Sequence, residues 1–287
     1  MESRTARLLI RAGSYLALAF LYAPIVIVLI YAFNNSTDQS WPPDLWSTRW
    51  FGEAWRDPEV RTALLNSIKA AAGATAIALL LGSAASFAVH RFKFFGRETI
   101  SFVLVLPVAL PGIVTAIALS SAIDFGHRLF GLNFGLLTII VGHATFCVVV
   151  VYNNVIARLR RTPTSLVEAS MDLGADGWQT FRFVTLPSIG TALIAGGLLS
   201  FGLSFDEIVV TNFTSGNVLT LPIWIFNHIR LPRAQPVVNV VASVVILLSL
   251  IPVYLAQRLA GGAQAVGARA GGATATKVAV FEEAGPG

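Results

Sequence analysis

Two carboxylates, Asp206 and Glu207, stand side by side in the apolar stretch GLSFDEIVV. Acidic groups inside such a run are costly in lipid unless they face water or a partner, and where they occur they mark ion paths. Phe201, Phe205 and Trp224 could add aromatic faces for a cation, worth roughly 0.5–2 kcal/mol each. This set suits the passage of a positively charged solute; it is not built for making or breaking bonds. On a continuous helix the adjacent side chains diverge by about 100°, so both cannot line one path. Asp206 is assigned to the path and Glu207 to its support. A water-exposed pair at a helix end is the competing reading.

Other chemistry is poorly served. None of the three lysines follows a glycine, so no phosphate-cradling G-x-x-x-x-G-K-[ST] loop exists. The histidines His90, His127, His143 and His228 are too scattered for a metal site. His143 falls within an apolar run, where it is expected to face protein and hydrogen-bond there. Cys147 is the only cysteine and lies in the apolar run ATFCVVVVY, so it reads as a buried thiol. The chain calls for no cofactor of its own and no metal. Its net charge of +5 comes without a basic face interleaved with aromatics, so nucleic acid is not an expected partner.

The elements that must position Asp206 and Glu207 are membrane helices. Residues are 55% hydrophobic and only 12% charged, with mean hydropathy +0.72. Apolar runs long enough to cross a bilayer occur at about 13–33, 64–89, 100–122, 135–157, 189–210 and 237–257. The expected fold is an all-α integral membrane protein with six transmembrane helices. Arg91, Lys93, Arg97, Arg158, Arg160 and Arg161 lie on one side of these spans together with the basic N-terminus, which predicts both termini in the cytoplasm. The expected organisation is a cytoplasmic N-terminus over 1–12, a membrane domain over 13–260 and an unstructured Gly/Ala-rich tail over 261–287. The first run is read as a retained helix, since it lacks a small-residue cleavage site.

Three local features refine this picture. Trp41, Trp46, Trp50 and Trp55 crowd the loop after the first span and are expected at the lipid headgroups. Pro107 and Pro111 in LPVALPGI are expected to kink the third span. Small residues in AAAGATAIALLLGSAAS allow close helix contact in the second span.

The polar stretch SLVEASMDLGADGWQTFRFVTLP interrupts the apolar pattern inside the loop 158–188. Ser165 and Glu168 have capping-box spacing, which predicts a helix start after Pro163. Gly174 can end that helix in a left-handed conformation. Asp176 and Gln179 repeat the capping device for a second short helix, and Leu186-Pro187 is expected to close it before the fifth span. Leu166, Ala169, Ser170 and Leu173 form a mildly apolar face on the first helix. A helix so short is marginal alone. It is worth building if it enters a partner's groove, although packing on its own domain would also account for it.

This stretch resembles the EAA loop of ABC-transporter permeases, with Glu168, Ala169, Gly174, Leu186 and Pro187 at the matching positions and Ser170 in place of the second alanine. FNNS, LLNSIKAA, LPVALPGIVTAIAL, GLSFDEIVVTNFTSG and TLPIWIFN extend the resemblance to spermidine/putrescine permeases, to the second permease subunit of those importers. The resemblance implies a type I ABC importer permease fold in the bacterial inner membrane, with polyamine cargo. It implies as partners a second permease subunit, two ATPase subunits that hold ATP and Mg, and an extracytoplasmic substrate-binding protein, all within membrane lipid. Glu168, Ala169, Ser170, Gly174, Leu186 and Pro187 would then couple the chain to the ATPases. Another small solute, such as an amino-acid derivative, ferric ion or phosphonate, stays open as cargo. A secondary transporter is the remaining class, but no duplicated half is visible.

Overall fold

A computed structural model of the chain describes residues 4–282, apart from 38, 40, 44 and 94. Six helical stretches are long and apolar enough to span a bilayer: Leu8–Ala32, Pro58–Arg91, Gly112–Phe130, Leu136–Arg161, Gly177–Phe205 and Pro232–Arg258. The contacts divide the chain into two units, residues 1–66 with 219–248, and residues 67–218 with 249–287.

The first unit contains α1 (Arg4–Ala32), the short α2 (Arg49–Arg56) and the opening turns of α3 (Pro58–Arg91). Helix therefore begins well before residue 13, where the apolar run starts. Only 6% of the most apolar window of α1 is buried, so lipid or another chain must cover the rest. The four tryptophans of the loop after α1 divide. Trp41, Trp46 and Trp55 are exposed, whereas Trp50 is buried and its indole N–H donates to the Asn34 carbonyl at 2.9 Å.

The second unit is organised around α6 (Leu136–Arg161), which carries the buried residues Phe146, Cys147, Val151, Val155 and Leu159. Two more core positions, Ala74 and Ala78, come from α3. Gly82 of α3 shows how near the helices come: a Cβ there would lie 2.8 Å from the Val148 carbonyl oxygen. The crowding of small residues in the second span thus serves close helix contact, as expected. Cys147 is fully buried and free.

The third apolar run is two helices, where one kinked span is expected. α4 (Arg97–Ala109) stops before Pro111, and α5 (Gly112–Phe130) begins after it. Proline restricts the residue before it to extended backbone, and Leu110 has φ −80° and ψ 147°. Pro107, by contrast, lies within α4 and is accommodated there.

Between α6 and the fifth apolar run lie α7 (Ser165–Asp172), α8 (Gly177–Thr180) and a π-helical turn, Phe181–Thr185. α9 (Leu186–Phe205) follows without a break and packs along α6. The fifth run itself is interrupted. α9 ends at Phe205, and α10 (Val209–Thr214) restarts after residues 206–208 to pack on α5 and α6. α11 (Leu221–His228) belongs to the first unit. α12 (Gln235–Glu282) carries helical backbone into the Gly/Ala-rich tail, where no regular structure is expected. The alanines there are strong helix formers, which favours this backbone locally. Residues 283–287 lie outside the described residues.

Candidate functional site

The loop after α6 is built almost wholly from local signals. Its first helix departs from the expected capping box. Thr164 is the N-cap residue of α7, its side chain makes no capping bond, and the Glu168 backbone N–H bonds the Thr164 carbonyl at 3.1 Å. The frame starts one residue earlier because Thr164 already has helical backbone, with φ −62° and ψ −30°. Glu168 therefore sits one position beyond the capping-box place, and its exposed carboxylate has no hydrogen bond or ion pair among the described residues. It borders a cavity of about 280 Å³ shared with Phe87, Arg91, Leu159, Val167 and Ser188.

The end of α7 follows the expectation. Gly174 has φ +86°, in the left-handed region. Its N–H bonds the Met171 carbonyl at 2.9 Å, and the Ala175 N–H bonds the Ser170 carbonyl at 3.1 Å. This pair is the Schellman arrangement, which satisfies carbonyls that a helix end leaves free. A Cβ on Gly174 would meet nothing within 4 Å, so the demand for glycine is conformational alone.

The second capping box forms as expected. Asp176 Oδ1 accepts from the N–H groups of Trp178 and Gln179, both at 2.8 Å, and Gln179 Oε1 accepts from the Asp176 N–H at 3.0 Å. Leu186-Pro187 does not end the helix begun there, contrary to expectation. Proline inside a helix would normally lose a bond and clash with the carbonyl four residues earlier. Here the π-turn immediately before it shifts the bonding by one residue, and Thr185 donates its hydroxyl to the Thr180 carbonyl at 3.4 Å. Helix thus passes from Gly177 through to Phe205.

Ser170 is the member of the motif with internal partners. Its hydroxyl donates to the Val167 carbonyl at 2.8 Å, so the 3.0 Å contact with the buried Thr180 hydroxyl must be donated by Thr180. Ala169, Leu166 and Leu173 point outward, and Leu173 is 89% exposed. Trp178 and Phe183 extend the exposed apolar area, at 66% and 69%. Apolar side chains held outward on a rigid, capped frame are the composition of a docking face. Inward, Phe181 stacks on Trp178 at 5.7 Å and meets Phe87 of α3 edge-on at 5.4 Å. The aromatic link to α3 had no sequence signal beyond the residue types.

The second candidate site is the break between α9 and α10. Asp206 follows the last residue of α9 and is exposed, while Glu207 is half-buried. They do not share a helix, so the divergence expected of helical neighbours does not apply. The Glu207 carboxylate accepts from the Val210 N–H at 3.0 Å, supplying the first turn of α10 with an acceptor. Phe201 and Phe205 stack at 6.1 Å with planes 17° apart. Phe205 is buried, and Phe201 keeps part of its ring accessible. Trp224 belongs to the other unit, where it is buried and stacks on His228 at 4.3 Å.

His143 faces protein and hydrogen-bonds there, as expected of a histidine within an apolar run. It is 1% exposed and bridges the break, with Nδ1 2.7 Å from Ser204 Oγ and Nε2 2.8 Å from Thr211 Oγ1. Thr211 spends its own proton on the Glu207 carbonyl at 2.7 Å. It must accept from His143, which fixes the proton on Nε2 and makes Nδ1 the acceptor for Ser204.

Comparison with known proteins agrees with this architecture. Residues 74–262 match the family described as binding-protein-dependent transport system inner membrane component. The chain is 36% identical over 236 residues to the putrescine transport system permease protein PotI of Escherichia coli K12, covering 80% of this chain and 83% of that one. It is 32% identical over 255 residues to the spermidine/putrescine transport system permease protein PotC of the same strain, covering 88% and 94%. Among solved structures, a chain of a bacterial ABC transporter that imports alginate superposes with TM-score 0.66 over 90% of this chain and 98% of its own, at 17% identity. A chain of the MetNI methionine transporter gives 0.54 over 71% and 97%, at 18% identity. The first agreement carries the family and the last two carry the fold: the chain belongs to the binding-protein-dependent transport system inner membrane components, with permease proteins as its relatives.

Proposed function

We propose that this chain is one permease subunit of an ATP-driven importer for polyamines such as putrescine and spermidine. The observation that carries the cargo class is the identity of 36% and 32% to permeases named for these solutes, extended over at least 80% of every chain compared. The break after α9 supports it physically. The C-terminal end of a helix carries roughly half a negative charge on its last carbonyls. Asp206 adds a carboxylate at that end, and Phe201 a partly open ring. A solute with two or more positive charges needs such stations to leave water.

In this reading the path is shared with a second permease subunit. Two ATPase subunits bind ATP and Mg²⁺, and each permease subunit seats its first loop helix in one of them. For this chain that helix is α7, with Glu168, Ala169 and Leu173 toward the ATPase and Ser170 and Gly174 holding the frame. The loop 158–188 and both termini lie in the cytoplasm, and a binding protein delivers cargo to the opposite face. The test is uptake of labelled putrescine and spermidine by proteoliposomes holding the complete complex with internal ATP. ATP-dependent accumulation is expected. No accumulation by a complex whose ATPase responds to a different cargo would overturn the polyamine assignment.

A further inference from the structure

We propose that His143 is a positioning residue for transport: a neutral imidazole that ties α6 to both sides of the α9–α10 break and so holds Asp206 in place. Four observations lead there. The break separates two helices that would otherwise run on, through the apolar sequence on either side of 206–208. One ring nitrogen holds Ser204, in the last turn of α9, and the other holds Thr211, in the first turn of α10. Ser204 and Thr211 are themselves at most 2% exposed, so no water competes for these bonds. The chain of donors then continues from Thr211 to the Glu207 carbonyl, which lies within the break itself.

On a neutral imidazole, the direction of every bond follows from counting protons. Thr211 gives its one proton to Glu207 and takes one from His143, and His143 takes one from Ser204. A buried polar group that loses its partner pays the full cost of desolvation, whereas in a complete network the hydrogen bonds offset that cost. The continuous helix across 204–211 would pull Ser204 and Thr211 out of reach of one imidazole. The network therefore penalises helix through the break and favours the interruption. The phenyl ring of Phe146 lies 5.5 Å from the imidazole and closes it on another side.

The role in cargo transport rests on the importer reading above, but the test of the device needs no cargo. In a Cys147→Ala background, Val209→Cys places a single thiol in the first turn of α10, where Val209 is 37% exposed. Its rate of reaction with a charged methanethiosulfonate reagent is measured in the assembled complex, alongside uptake. His143→Leu is expected to change that rate at least ~5-fold and to raise the KM for uptake. His143→Gln, whose amide offers one donor and one acceptor, is expected to restore much of both. Thr211→Val, which removes one arm only, should fall between. Unchanged thiol reactivity and uptake in assembled His143→Leu would overturn the proposal. So would failure of His143→Gln, Ser204→Ala and Thr211→Val all to assemble, which would make the network a packing element only. A changed thiol rate with no polyamine uptake in the parent complex would leave the device standing and remove the cargo assignment.

Discussion

Thr180 donates its hydroxyl proton to Ser170 Oγ, 3.0 Å away, across the glycine turn that separates α7 from α8. Thr180 is only 2% exposed, and among the described residues this is the bond its hydroxyl makes. Ser170→Ala strands that hydroxyl at a cost of about 1 kcal/mol, expected as a ~5-fold loss of hydrogen-exchange protection over residues 174–180. The double variant Ser170→Ala/Thr180→Val replaces both partners with apolar groups and should recover most of the protection. Equal loss in the single and the double variant would show that the bond does not hold the turn.

Gly174 adopts φ +86° in open space, so substitutions there separate conformation from bulk. Gly174→Asn should be mild, because asparagine tolerates the left-handed region, whereas Gly174→Val should cost ~1–2 kcal/mol. With Gly174→Asp, the complex should insert and assemble, yet its cargo-stimulated ATP hydrolysis should fall severalfold. Normal transport by the Gly174→Asp complex would mean that the turn has no part in coupling.

Glu168 is spared from capping, so its loss should leave α7 itself untouched. Glu168→Gln is expected to keep wild-type hydrogen exchange over 165–172 while weakening association with the ATPase subunit about tenfold, roughly 1.4 kcal/mol. Loss of protection in α7 at unchanged association would return the carboxylate to a local role.

Ala169 and Asp176 present a direct contrast. A single cysteine at Ala169, with Cys147 removed, should cross-link to the ATPase, and its yield should change when ATP binds. Asp176 already holds two backbone N–H groups. Asp176→Cys should fray α8 at a cost of about 1 kcal/mol and cross-link poorly. Cross-linking at 176 and none at 169, over several spacer lengths, would move the contact to the second loop helix.

Asp206 and Glu207 should separate by kinetics. Asp206→Asn is expected to raise the KM for putrescine about tenfold, the loss of roughly 1.4 kcal/mol from one charged contact. Glu207→Gln keeps an oxygen for the Val210 N–H and should be nearly silent, while Glu207→Ala should not be. Wild-type uptake by both Asp206→Asn and Glu207→Gln would remove the carboxylates as stations for cargo.

What the sequence discloses depends on how local the deciding interaction is. The loop around Gly174 was legible because the Schellman turn and the Asp176–Gln179 box each lie within a few residues. Glu168 misled because the capping frame slid by one residue after Pro163, a shift that spacing alone does not register. Pro111 announced a disturbance, but kink and break differ only in whether Leu110 stays helical. A helix end at Asp206 was open as the competing reading, but the restart of helix at Val209 was hidden. Both flanks are apolar, and the residue that sets it, His143, lies 61 positions away from Ser204 in the chain. Leu186-Pro187 read as a stop because the π-turn that absorbs the proline leaves no mark in composition.

The Arg158 guanidinium donates through Nε to the Ser188 carbonyl at 2.8 Å, joining the last turn of α6 to the first turn of α9. Together with the Ser170–Thr180 bond and the unbroken helix from Gly177 to Phe205, it ties the loop to α6 and α9. If α7 docks as proposed, a displacement of it is expected to reach α9 and its far end at Asp206. Compliance anywhere along that line would dissipate the displacement as local bending, so loosening Arg158 should blunt the output even with every docking contact in place.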